Sequence, residues 1–311
     1  MTVADAAQAA ADLRDGHAPA ERTEARHPLL RGLLRDRTAR IGLFLVVGFA
    51  LLALLGPALA PRPPNEVSII DKFAPPSHQF PLGTDHLGRD VFSRLLHGAR
   101  VSLVSTAVVA LGVSLLGTGM GMLAGYIGGV VDTLISRIVD ALLVFPPFLL
   151  ALAMTGVFGA SLHNVMLAIV ATWWTSYARV VRASVLAERS KPYVEAAEAS
   201  GASALRVLGR HLAANVMGPV VILTTLDLGA ILLGISSLSF LGLGVKPPTA
   251  EWGSMLAEGK TYLSPAPHIM FFPGAAIFLA VLGFNLLGDG LRDVLDPRTE
   301  RPLRVRAQRG V

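Results

Sequence analysis

Residues 41–60 read IGLFLVVGFALLALLGPALA, an apolar stretch with no charged residue from Ile41 to Ala60. At 1.5 Å of rise per residue, about 20 such residues cross a hydrocarbon core of about 30 Å. The stretch therefore predicts a membrane-spanning helix. Its last residues, Ala58-Leu59-Ala60, look like a leader-peptide cleavage site. The apolar run is nevertheless longer than the usual leader segment of about 7–15 residues, and it follows a long polar tail. Working outward, five more apolar runs follow: Val101–Leu123, Leu134–Gly156, Val165–Val181, Val220–Leu241 and Ile269–Leu287. Six spans are predicted, hence an all-α integral membrane protein.

Composition agrees. Of 311 residues, 52% are hydrophobic and only 16% charged, against about 25% charged in soluble domains. The net charge of +5 would suit nucleic acid. The basic residues, however, gather in three segments, the pattern that orients a chain in a bilayer, so no nucleic-acid partner is expected. Arg22, Arg26, Arg31, Arg35, Arg37 and Arg40 precede the first span. Arg179, Arg182, Arg189, Lys191, Arg206 and Arg210 lie from the end of span four to the start of span five. Arg292, Arg298, Arg301, Arg304, Arg306 and Arg309 follow the last. All three segments are expected in the cytoplasm, with both termini. The division is a tail 1–38, a first span 39–60, an extracytoplasmic loop 61–100, a five-helix core 101–290 and a tail 291–311. Without cysteine there is no disulfide or thiol chemistry.

The spans are not plain rods. Gly117, Gly121 and Gly125 form a small-residue ladder on one helical face, which lets another helix approach closely. Phe145-Pro146-Pro147 and Phe272-Pro273-Gly274 bend or break their helices. The chain has no Walker-type phosphate loop, no His-Glu-x-x-His and no Gly-x-Ser-x-Gly. His78, His86 and His97 match no compact metal-ligand spacing and read as surface histidines. No metal or cofactor is expected, and energy must come from another protein or an ion gradient.

The segment Arg189–Pro219 reads as two short helices around a glycine. Ser190 can cap the first and Pro192 fits its opening turn. Tyr193 to Ser200 continue it and Gly201 stops it. A second helix is expected from Ser203 to about Asn215. Glu195-Ala196-Ala197, then three residues, then Gly201 resembles the EAA loop of binding-protein-dependent ABC importer permeases of the type I fold. The resemblance implies that Glu195, Ala196, Ala197, Gly201 and Arg206 couple the membrane helices to an ATPase. Where the family has an apolar residue and Leu-Pro, this chain has His211, Leu212, Ala213 and Ala214.

Other stretches are similar to the peptide/nickel branch of that family. They are Leu82–Leu95, Gly125–Gly129 with Asp132, Arg137 and Asp140, Leu238–Gly244, Pro247–Gly253, and Asn285–Asp293 with Leu295-Asp296-Pro297. This resemblance spans roughly residues 40–300. It implies as partners a second homologous permease, two ATPase subunits, an extracytoplasmic solute-binding protein and the lipid bilayer, in a bacterial inner membrane. It also implies a peptide or nickel as solute. Asp227, a carboxylate inside a span, either lines the translocation path with Pro146 and Asn285 or pairs with a polar group on a neighbouring helix. Asp85, Arg89 and Asp90 either contact the binding protein or satisfy one another. An ion-coupled secondary transporter is the alternative, and it predicts several buried charges and inverted repeats.

Overall fold

A computed structural model describes residues 33–295 apart from Arg35. The expected tails, 1–38 and 291–311, fall largely outside these residues. Asp36 caps the first helix, α1 (Arg37–Leu59), its Oδ1 accepting from the Ala39 N–H at 2.7 Å. The 61–90 stretch is loop with one turn of 3-10 helix, Ile69–Asp71. Helix α2 (Val91–Ile127) then runs for 37 residues, about 55 Å at the usual rise. It starts inside the stretch read as loop. Asp90 is its cap, with Oδ2 accepting from the Ser93 N–H at 2.9 Å and from the Ser93 hydroxyl at 2.6 Å. Ser93, Arg94 and His97 made this turn look like loop. They are helical because their partners lie within the protein.

The third expected span, Leu134–Gly156, is not one helix. It is divided between α3 (Gly129–Leu143) and α4 (Pro147–Phe158), bent by 86° at the break. Pro146 and Pro147 donate no backbone hydrogen bond, and each pushes its predecessor away from helical torsions. Pro273, by contrast, stays inside its helix. Next come α5 (Leu162–Arg189), α6 (Pro192–Ala199), a turn at Ala204–Arg206 and a π-helical stretch, Val207–Leu212. The π stretch runs directly into α7 (Ala213–Phe240). Helices α8 (Trp252–Gly259) and α9 (His268–Leu295) complete the described chain.

Helices α1, α2, α7 and α9 are long and apolar enough to cross a membrane, and α3 with α4 makes a fifth if the bent pair is one span. Helix α5 has the length, at 28 residues. Thr172, Trp173, Trp174, Thr175, Ser176 and Tyr177 dilute its apolar character. Among the described residues, the expected six spans are thus met as four or five. The outer surface is apolar, with Phe44, Leu54, Leu115, Val157 and Phe278 all strongly exposed. A bundle whose solvent is hydrocarbon has this surface.

The glycine ladder packs α2 against α5. A Cβ added at Gly117 would meet Tyr177 Cβ at 2.4 Å, at Gly121 the Ala178 carbonyl at 2.6 Å, and at Gly125 Val185 Cβ at 2.8 Å. Each lies below any tolerable contact, so only glycine permits this approach. Gly121→Leu is expected to lower stability by about 3 kcal/mol, the upper range for overpacking. Thermal denaturation of the detergent-solubilised chain measures it, and an unchanged midpoint would show that the ladder carries no packing.

Candidate functional site

Two polar assemblies sit at opposite ends of the bundle. The first is the segment between α5 and α7. Pro192 occupies the first turn of α6, as expected, but Lys191 is the capping residue. Ser190 instead closes α5, its hydroxyl donating to the Ala187 carbonyl at 3.2 Å. Gly201, at φ +82°, stops α6, and its N–H donates to the Glu198 carbonyl at 2.9 Å. The second helix does not stand alone as expected. The π stretch fuses it to α7, and in the position of the family's proline Ala213 and Ala214 let the helix continue.

This segment has a buried root and a free face. Val194, Val207 and Leu212 are fully buried, in one cluster with Val181, Val185 and Val216. Glu195, Ala196, Gly201 and Arg206 are exposed, and Ala197 is half-buried. Polar tethers fix the orientation. The Tyr193 hydroxyl donates to Glu188 at 2.8 Å and accepts from Asn215 Nδ2 at 2.8 Å. The Tyr126 hydroxyl donates to Glu198 at 3.2 Å, and Arg189 Nη1 donates to the Tyr126 carbonyl at 2.7 Å. Of the five residues expected to couple, four are thus exposed on a segment whose root is buried.

The residues expected to share a path are not gathered. Asp227 is half-buried and lies beside the buried Tyr177 hydroxyl of α5, with Thr224 next to it. The hydroxyl lies outside hydrogen-bonding geometry with either. Asn285 of α9 instead approaches Gly229, its Oδ1 3.2 Å from where a Cβ would stand. Positions 227 and 229 point to opposite faces of α7, since successive helical residues turn by about 100°. Pro146 is exposed at the α3–α4 break.

The second assembly holds Asp85, Arg89 and Asp90, for which contact with a binding protein and mutual satisfaction were the two readings. They are only 2%, 2% and 3% exposed, so none presents a face to a partner. Arg89 Nε pairs with Asp85 Oδ2 at 2.6 Å, and Arg89 Nη2 pairs with Glu258 of α8. Arg94, 1% exposed, reaches Glu258 at 3.2 Å and Asp85 at 3.6 Å. Its Nη1 also donates to the carbonyls of Pro248 and Pro64 at 3.2 and 3.3 Å. Two guanidiniums and two carboxylates thus join the 61–90 loop, the head of α2 and α8. His86 stacks on Tyr262 at 5.1 Å. Burial lowers its pKa, Arg89 and Arg94 lower it further, and Asp85 and Glu258 oppose them. Asp85, His86 and Glu258 approach one another within 4.8 Å. Both carboxylates already face guanidiniums, so a cation there would meet two positive charges.

Sequence reasoning passed over Glu258, and it quoted Arg94 and Glu251 within family-like stretches without giving either a role. Glu251 is fully buried and caps α8, accepting from the N–H groups of Gly253 and Ser254 at 2.9 and 2.8 Å and from the Ser102 hydroxyl at 3.2 Å. Burial raises its pKa, against the hydrogen bonds from Gly253 and Ser254. The sequence signal for Glu251 was its place in the stretch Pro247–Gly253; as a helix cap it was not legible, since glutamate is not among the preferred caps.

Most of the chain is similar to known proteins. Residues 117–301 match the family described as binding-protein-dependent transport system inner membrane component. Residues 29–76 match the N-terminal TM domain of oligopeptide transport permease C. The nickel transport system permease protein NikC of Escherichia coli K12 is 44% identical over 260 residues, 84% of this chain and 94% of the relative. A putative peptide transport system permease protein of Brucella abortus is 42% identical over 268 residues, 86% and 90% of the two chains. The dipeptide transport system permease protein DppC of Alkalihalophilus pseudofirmus is 39% identical over 266 residues, 86% and 88%. With one family match covering more than half the chain and relatives aligned over most of its length, the protein belongs to the inner membrane components of binding-protein-dependent transport systems.

Proposed function

We propose that this chain is one transmembrane half of an ATP-driven importer for a peptide or for nickel, with segment 189–219 as its coupling element. The observation that carries the reading is the exposed Glu195-Ala196-Ala197 face on a base rooted by Val194, Val207 and Leu212. Small alanines admit close approach of another surface, and the buried valines transmit its displacement to α5 and α7. The chain crosses the membrane six times in this reading, with α5 and the bent α3–α4 pair each counted as a span. Both termini and the coupling segment lie in the cytoplasm, and the 61–90 loop faces an extracytoplasmic solute-binding protein. A second homologous permease and two ATPase subunits complete the assembly. Relatives are named for nickel, peptide and dipeptide transport. These solutes share a cationic group, which the Asp227 carboxylate suits.

Vesicles containing the chain, its partner permease and both ATPases should accumulate a radiolabelled dipeptide or radiolabelled Ni2+ only with binding protein outside and ATP inside. Accumulation by this chain alone, driven by an ion gradient, would overturn the reading in favour of a secondary transporter. In the same vesicles, Asp227→Asn should lower uptake about tenfold, the scale of one hydrogen bond to a charged group. Unchanged uptake would remove Asp227 from the path.

A further inference from the structure

We propose that Tyr126 and the Gly128–Gly129 pair form the joint through which the coupling segment moves the bent helix pair α3–α4. The inference rests on the permease reading and adds the route by which force leaves the segment.

Tyr126 lies in the last turn of α2 and is held from two directions. Arg189, the final residue of α5, donates to its carbonyl at 2.7 Å and places a guanidinium 5.3 Å from the ring centroid. Glu198 of α6 accepts from its hydroxyl at 3.2 Å. The ring also packs against the buried cluster that contains Val194. A displacement of α6 therefore reaches the end of α2 through one side chain, by both a polar and an apolar contact.

Two residues further on the chain changes character. Gly128 has φ +71° and ψ −160°, and Gly129 has φ +56°. No atom lies within 4 Å of a Cβ built at either position. Packing does not require glycine here; the backbone does, because side chains disfavour these torsions. A pair of such residues in open space is suited to absorb rotation between two rigid helices.

Beyond this joint, α3 is lightly held. Only Ile135 and Val139 are buried. Those two pack with Ala124, Trp174 and Ala178 in a small apolar cluster, and two ion pairs to α5 add to it, Arg182 Nη2 to Asp132 at 2.7 Å and the exposed Arg179 to Asp140 at 3.3 Å. A cleft of about 290 Å³ opens between α2, α3 and α5, lined in part by Ser136, Asp140, Arg179 and Arg182. Helix α3 has room to swing, and its far end meets the 86° break into α4. The moving parts are then α6, Tyr126, the glycine joint, α3 and α4 in series.

The test uses the complete assembly in vesicles, with uptake of radiolabelled dipeptide or Ni2+ and ATP hydrolysis measured in one preparation. Tyr126→Phe deletes only the hydroxyl bond to Glu198. It should lower solute moved per ATP about tenfold, as expected for one bond to a carboxylate. Glu198→Ala should match it, and Glu198→Gln, which keeps an acceptor, should restore most of the ratio. If Tyr126→Phe fails to assemble, Glu198→Ala on the exposed face of α6 gives the same readout. A ratio unchanged in both, or a loss of complex with an unchanged ratio, overturns the proposal. If the wild-type assembly accumulates neither solute with ATP, this inference and the permease reading fall together.

Discussion

Gly201→Pro is expected to abolish ATP-driven uptake while the chain still inserts in the membrane. Gly201 sits at φ +82° and gives its N–H to the Glu198 carbonyl. Proline fixes φ near −65° and has no N–H, so the turn that stops α6 cannot form. A penalty of about 3 kcal/mol or more leaves the docking shape populated roughly a hundredth as often. A graded series separates backbone from bulk. Nothing stands within 4 Å of a Cβ at this position, so alanine meets only the left-handed backbone cost of about 1–2 kcal/mol. Asparagine, which tolerates that conformation, should cost less. Uptake in vesicles should fall in the order Gly, Asn, Ala, Pro. Glu195→Arg changes the exposed face without touching the turn, and should sever ATPase co-purification from an otherwise intact chain. Wild-type uptake by Gly201→Pro would end the assignment of this segment.

The second large effect lies at the other end. Arg94→Met should destabilise the chain by about 3–5 kcal/mol, the cost of breaking a buried ion pair by removing one partner. It leaves Asp85 and Glu258 sharing Arg89 and frees the carbonyls of Pro64 and Pro248. Lysine should not rescue, since a point charge cannot fill several fork contacts at once. Adding Glu258→Leu to Arg94→Met should recover part of the loss, because the orphaned carboxylate goes with it. Thermal unfolding of the purified chain and its variants reads all three. A double mutant destabilised by the full sum of the two singles would show that Arg94 and Glu258 do not act in one cluster.

Much of this arrangement was legible in the sequence, for identifiable reasons. Apolar runs reported helices because hydrocarbon tolerates little else, and the ladder of Gly117, Gly121 and Gly125 reported the α2–α5 contact because its period matches one helical face. The Gly201 stop was readable because its backbone demand is local. The head of α2 was not, since Ser93, Arg94 and His97 look like loop until α8 and the Pro248 carbonyl are brought beside them. Glu258 carries no local signal, as its partners are more than 160 residues away in the chain. Asp227 and Asn285 looked like companions because both are polar groups in apolar runs. The pairing of Asn285 with Gly229 comes from the packing of α9 on α7, which spacing alone does not encode.

The position of the glycine contact along α2 has a mechanical result. It is centred near Gly121, close to the Tyr126 end, whereas the Arg94 end lies far away. From Gly121 to Val91 is about 45 Å, and from Gly121 to Ile127 about 9 Å, at the usual helical rise. A stiff rod pivoting there acts as an unequal seesaw: any tilt carries its long arm about five times as far as its short one, and in the opposite direction. An ångström of movement at the Ile127 end becomes several at the Val91 end.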